Sequence, residues 1–145
     1  MRSLRLAGWL AGIWAGLLLC VAFIAAPAPF ATLASADAGR VVARIFAQEA
    51  YLSLAFAVVL YIPLRKQAQL AAAAGKGSVV SANVLLVLGT LFCTVAGYFA
   101  LQPMLVAARA GQGRFSFGAL HGASMAFFAL KGLLVLGLAW RLTGR

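Results

Sequence analysis

At 145 residues, with 65% hydrophobic and 10% charged side chains, the chain is long enough for one domain and too apolar to cover a water-facing surface. Its net charge of +10 would suit a nucleic-acid partner, but the bases fall in gaps between apolar runs and form no basic face with stacking aromatics, which excludes that class. One histidine and two acids cannot furnish a catalytic triad, a metal cluster or the paired axial ligands of a membrane haem, so no enzyme activity, metal or cofactor is expected.

A membrane-spanning helix takes about 20 mostly apolar residues, and four runs qualify. The first extends from about Leu6 to Phe30. It carries small residues every fourth position, Gly8, Gly12, Gly16 and Cys20, a row suited to close helix approach in lipid, either within a bundle or between two copies. Pro27 and Pro29 at its far end predict a kink or a stop. A rival reading takes Arg2, Arg5 and the apolar run as a secretory signal cleaved after Ala34-Ser35-Ala36, but the run is longer than the ~7–15 residues of a signal core.

A short polar gap, Ala31 to Arg40, leads to the second run, about Val41 to Leu64, with Pro63 reading as its terminator. The gap from Arg65 to Ser78 holds Arg65, Lys66 and Lys76 among glycines. Gly75-Lys76-Gly77-Ser78 lacks the first glycine and the Ser or Thr after the lysine that a phosphate loop needs. The third run, about Val79 to Leu101, repeats the small-residue row as Gly89, Cys93 and Gly97, and Pro103 lies near its end. Cys20 and Cys93 each fall about 14 residues, or roughly 21 Å, into their runs from the same side, which predicts that helices one and three touch there. The gap Ala107 to Ser116 precedes the fourth run, about Phe117 to Trp140, which opens with Gly118 and Gly122.

Such runs are too long for barrel strands, and their short links make successive helices antiparallel neighbours. The expected architecture is an all-α membrane protein, one four-transmembrane-helix antiparallel bundle over residues 1–145. Seven bases (Arg2, Arg5, Arg65, Lys66, Lys76, Arg141, Arg145) lie on the side of the termini and four (Arg40, Arg44, Arg109, Arg114) on the other, which predicts both termini in the cytoplasm. Trp9, Tyr61 and Trp140 sit near the same side, where amphipathic rings favour the interface.

Charges in hydrocarbon are costly and turn inward to find partners. Glu49 in the second run and Lys131 in the fourth are the two candidates, with His121 and Ser124 on the Lys131 face of helix four, within an arc that also holds Phe128. Counted from the expected helix ends, Glu49 lies about 12 Å deep, His121 about 6 Å and Lys131 about 20 Å. Three readings are open: a proton or ion relay through Glu49, His121, Ser124 and Lys131, a structural pair between helices two and four, or a Lys131 that snorkels to the interface.

Trp14-Ala15-Gly16, Pro27-Ala28-Pro29-Phe30, Ala38-Gly39-Arg40 with Phe46, and Phe117 through Leu120-His121-Gly122-Ala123-Ser124-Met125 occur in an order and spacing that resembles the domain of unknown function 4149, the transmembrane protein 205-like family. The resemblance implies a small four-helix protein of a bacterial inner membrane, with its His-Gly-x-Ser segment at His121, Gly122 and Ser124, and no established activity. Two roles follow as expectations. One is an accessory or structural protein acting through lateral contacts with other membrane proteins or copies of itself. The other is a small, oligomeric transporter or ion pathway built on Glu49, His121 and Lys131.

Overall fold

The computed structural model describes residues 2–144. Four helices are long and apolar enough to cross a membrane: α1 (Ser3–Thr32), α2 (Ser35–Ala73), α3 (Ala82–Arg109) and α4 (Phe117–Thr143). No strand occurs among the described residues, and the chain is a multi-pass helical membrane protein. Each helix packs on its sequence neighbours, and α4 closes on α1. The result is an up-down-up-down ring, α1-α2-α3-α4, with both ends of the described chain on one side.

Local chemistry sets the ends. Ser81 and Ser116 cap α3 and α4 by accepting from the backbone N–H groups of Val84 and Ala119. α2 closes with Gly75 at φ +68°, Gly75 N–H bonding to Ala72 O and Lys76 N–H to Ala71 O. α3 closes the same way with Gly111 at φ +72°. Both are left-handed caps that satisfy orphan carbonyls at the rim.

α2 is much longer than its apolar run. The expected loop before Val41 is its first two turns, opened by Asp37, whose carboxylate suits the helix N-terminus and pairs with Arg40 at the surface. Beyond Leu64, the helix formers from Arg65 to Ala73 carry it further. Hydropathy marks where a helix is greasy, not where it stops.

The prolines do not stop their helices either. Pro63 lies inside α2, in a setting where neighbouring helices make the lost bond tolerable. In α1 a π turn over Val21–Ala25, with Ala26 N–H reaching back to Val21 O, directly precedes Pro27. In α3 a π turn over Val95–Ala100 precedes Pro103. A proline ring clashes with the carbonyl four residues earlier. Those carbonyls, on Phe23 and Phe99, belong to the π turns, whose wider winding gives the rings room.

The small-residue rows divide unexpectedly. The inward face of α1 is Ala7, Ala11, Trp14, Ala15 and Leu18, all buried, while Gly12, Gly16 and Cys20 face outward. Only Gly8 meets another helix, against the Leu142 backbone of α4. Cys20 is exposed and Cys93 buried, and α1 packs on α2 and α4, so the expected contact of helices one and three at the cysteines is wrong. On α3 the row does pack, but on α4. A β-carbon at Gly97 would overlap that of Phe127, and one at Gly89 would lie 3.0 Å from Leu134 Cδ1. Gly118 and Gly122 of α4 have no neighbour within reach of a β-carbon.

Candidate functional site

The bundle axis holds one polar cluster contributed by three helices. On α2, Glu49 and Ser53 are four residues apart and therefore stack on one face. Ser53 donates to Glu49 Oε1. Lys131 of α4 donates to the same oxygen at 2.7 Å and approaches Ser53 Oγ at 3.4 Å. Trp14 of α1 donates its indole N–H to Ser53 Oγ at 3.0 Å. The serine hydroxyl thus uses its one donor and both acceptor positions.

Burial is complete: Glu49 and Lys131 are each 3% exposed, and Ser53 and Trp14 0%. Aromatic rings pack around the polar groups. Trp14 stacks on Phe56 at 5.6 Å between centroids. The Lys131 ammonium lies 5.0 Å from the Phe128 centroid, and Phe46 meets Phe128 edge-on. The ammonium therefore has carboxylate, hydroxyl and ring face as partners.

Depth explains the pairing. Glu49 is the fourteenth residue after Ser35, and Lys131 the fourteenth after Phe117. Both sit about 21 Å below the same rim at about 1.5 Å per residue. The expected 8 Å offset came from starting helix two at Val41. With α2 starting at Ser35 the two charges are level, near the middle of α4's 27 residues. They face each other across the ring, because α2 and α4 are not neighbours in it. A lone charge at mid-membrane costs about 2.5–3.5 kcal/mol on insertion scales, and here each charge neutralises the other in direct contact. Snorkelling by Lys131 is ruled out by its burial.

His121 stands apart. It is exposed near the rim, stacked on Phe117 at 5.6 Å, and ten residues above Lys131, about 15 Å along the helix. Ser124 also stays outside the cluster and donates to the Gly97 carbonyl of α3's π turn at 2.9 Å. Of the four expected polar residues, the fold joins Glu49 to Lys131 and leaves out His121 and Ser124.

Sequence reasoning missed Ser53 and Trp14. The available signals were the i, i+4 spacing of Ser53 from Glu49, and a tryptophan in mid-span while Trp9 and Trp140 sit at the ends. It also missed the bond from Arg141 Nε to Asn83 Oδ1, 2.8 Å, which ties α4 to α3 near the termini. Among the described residues no three of His, Cys, Asp or Glu gather at one point. Two shallow apolar clefts lie elsewhere, one by the α3–α4 link and one between α2 and α3, and neither includes a residue of the cluster.

No curated protein and no solved structure matches this chain. Residues 9–114 match the family described as Domain of unknown function (DUF4149). The match takes in Trp14, Glu49 and Ser53 and ends before α4, so Lys131 and the His121–Ser124 segment lie beyond it. Spanning well over half of the 145 residues, it makes the chain a member of the DUF4149 family.

Proposed function

We propose that this protein is a non-catalytic accessory component of a bacterial inner membrane, with both termini in the cytoplasm, acting through lateral helix contacts with other membrane proteins or with copies of itself. The observation that carries this reading is the closed state of the axial cluster. Lys131 and Ser53 both bond Glu49 Oε1, Trp14 bonds Ser53, and neither cleft described above reaches the four side chains. A relay needs successive groups within bonding reach, and His121, the remaining titratable member of the expected relay, is about 15 Å away along α4. The excess of bases on the side of the termini supports the orientation. The outward row of Gly12, Gly16 and Cys20 supports lateral contact, since small residues let helix backbones approach in lipid.

The test is reconstitution in liposomes under a proton or sodium gradient with an entrapped indicator dye. The accessory reading expects leak no greater than that of empty vesicles. A flux that disappears in Glu49→Gln would overturn it in favour of an ion pathway. Oxidative cross-linking through the native Cys20 in membranes then asks whether the lateral partner is a second copy. A reporter active only outside the cytoplasm, fused to the C-terminus, should stay silent.

A further inference from the structure

Where α3 ends and α4 begins, the link folds back to leave a cleft of about 260 Å³. Pro103, Met104 and Ala107 of α3 form one wall, Leu120 of α4 another, and Gly113, Arg114 and Phe115 of the link the third. Arg114 is the only charged residue lining it. Arg109, in the last turn of α3, holds its guanidinium 4.9 Å from the Phe117 ring centroid, so a second positive charge is fixed where α4 starts. Among the described residues neither arginine makes a salt bridge. The acid on this side of the molecule, Asp37, is already paired with Arg40.

We propose that this cleft is a binding site for an anionic phospholipid, which lays part of one acyl chain against Met104, Ala107 and Leu120 and sets its phosphate between Arg109 and Arg114. Three observations converge on that occupant. The walls are apolar, and the cleft lies at the helix ends, where headgroup and acyl chain meet. The volume falls below the ~300–1,000 Å³ of small-molecule pockets, which suits a length of chain rather than a soluble metabolite. Two arginines with no acidic partner among the described residues border the apolar walls on the side away from the termini, and paired cations beside acyl-sized walls suit an acidic headgroup in that leaflet. Arginine can hold a phosphate through two parallel hydrogen bonds, which a zwitterionic lipid offers only with its own cation alongside. Gly111 and Gly113, at φ +72° and +97°, fold the link so that Arg114 returns over the cleft.

The experiment is native mass spectrometry of the full chain from micelles doped with equal phosphatidylglycerol and phosphatidylcholine, with melting temperature read in parallel. The parent should retain phosphatidylglycerol preferentially. Arg109→Gln and Arg114→Gln should each weaken that preference about fivefold, the effect of one basic residue near an anionic surface. Ala107→Phe, which fills the cleft and keeps both charges, should also abolish retention. Arg65→Gln with Lys66→Gln, at the other end of the bundle, should leave it unchanged. Preference unaffected by the two arginine variants, or surviving in Ala107→Phe, overturns the site. So does equal loss in the distant pair, which would mean diffuse attraction to net charge. All five altered positions lie at or near the surface, and a parent-like melting temperature separates loss of lipid from loss of fold.

Discussion

Removing one charge from the bundle axis should be far worse than removing both. Lys131→Met keeps most of the side-chain length and leaves the Glu49 carboxylate facing Ser53 alone, at 3% exposure. Breaking a buried pair costs about 3–5 kcal/mol in proteins generally. A single charge at mid-membrane costs about 2.5–3.5 kcal/mol. The two figures bracket an expected loss of about 3 kcal/mol or slightly more for Lys131→Met, and Glu49→Gln should match it by stranding the ammonium. The double variant strands no charge: Gln still accepts from Ser53, and Met packs against Phe128. It should lie within about 1 kcal/mol of the parent, as apolar replacements of buried pairs often do. Unfolding titration in mixed micelles, followed by tryptophan fluorescence, gives all four corners of the cycle. The coupling energy should be about 5 kcal/mol, above the ~0.5–3 kcal/mol usual for contacting residues. Single variants within about 0.5 kcal/mol of the parent, or a double variant equal to their sum, would refute the claim that the pair is closed and mutually compensating.

Ser53→Ala removes the acceptor of the Trp14 indole and one partner each of Glu49 and Lys131. It should cost about 1–3 kcal/mol, the range for orphaned buried polar groups, in the same titration. Gly97→Ala drives a methyl into Phe127 and should cost about 1–3 kcal/mol by overpacking. Gly16→Ala meets nothing within 4 Å and should stay within about 0.5 kcal/mol of the parent in dilute detergent. His121→Ala should likewise leave stability within about 0.5 kcal/mol, since its exposed ring only stacks on half-buried Phe117; a larger loss would return the histidine to the polar network.

The four spans were legible because hydrocarbon allows few alternatives. A run of apolar residues must satisfy its own backbone, and helices do so locally. The topology followed from short links. Facing was less legible. On α1 two small-residue rows lie side by side, Ala7-Ala11-Ala15 and Gly8-Gly12-Gly16, and nothing in their spacing says which turns inward. Trp14 decides it. A tryptophan in mid-span needs a partner for its N–H, Ser53 supplies one, and the alanine row is carried in with it. The stripe on α3 lies against α4, not against α1 as its depth predicts. Its glycines answer Phe127 and Leu134, bulky residues on α4 that the pattern of α3 could not reveal. Half of the candidate site was visible, since Glu49 and Lys131 are conspicuous as charges in apolar runs. Their contact was obscured by the hidden first turns of α2, which shift the depth of Glu49 by about 9 Å, six residues at 1.5 Å each.

That the charges are level suggests what the pair does for a bundle in which α1 and α2 turn many alanines inward. Helices in lipid gain little from hydrophobic drive and much from close packing. A face made of alanines four residues apart packs almost equally well after sliding by one turn, about 5.4 Å. A 2.7 Å bond between Lys131 and Glu49 does not survive that slide. Buried polar pairs fix register in some systems and are dispensable in others, so the double variant Glu49→Gln, Lys131→Met separates stability from specificity. With Cys20 and Cys93 replaced by Ala and spin labels at the exposed positions Leu70 and Leu136, dipolar spectroscopy reads the distance between α2 and α4. If the pair sets register, the parent gives one narrow distance, and the double variant, though equally resistant to unfolding, gives a broadened or two-peaked one. A distribution as narrow as the parent's would mean that Gly97 against Phe127 and the bond between Asn83 and Arg141 already hold the helices in place, leaving the charges with no architectural task and reopening the question of what else keeps them there.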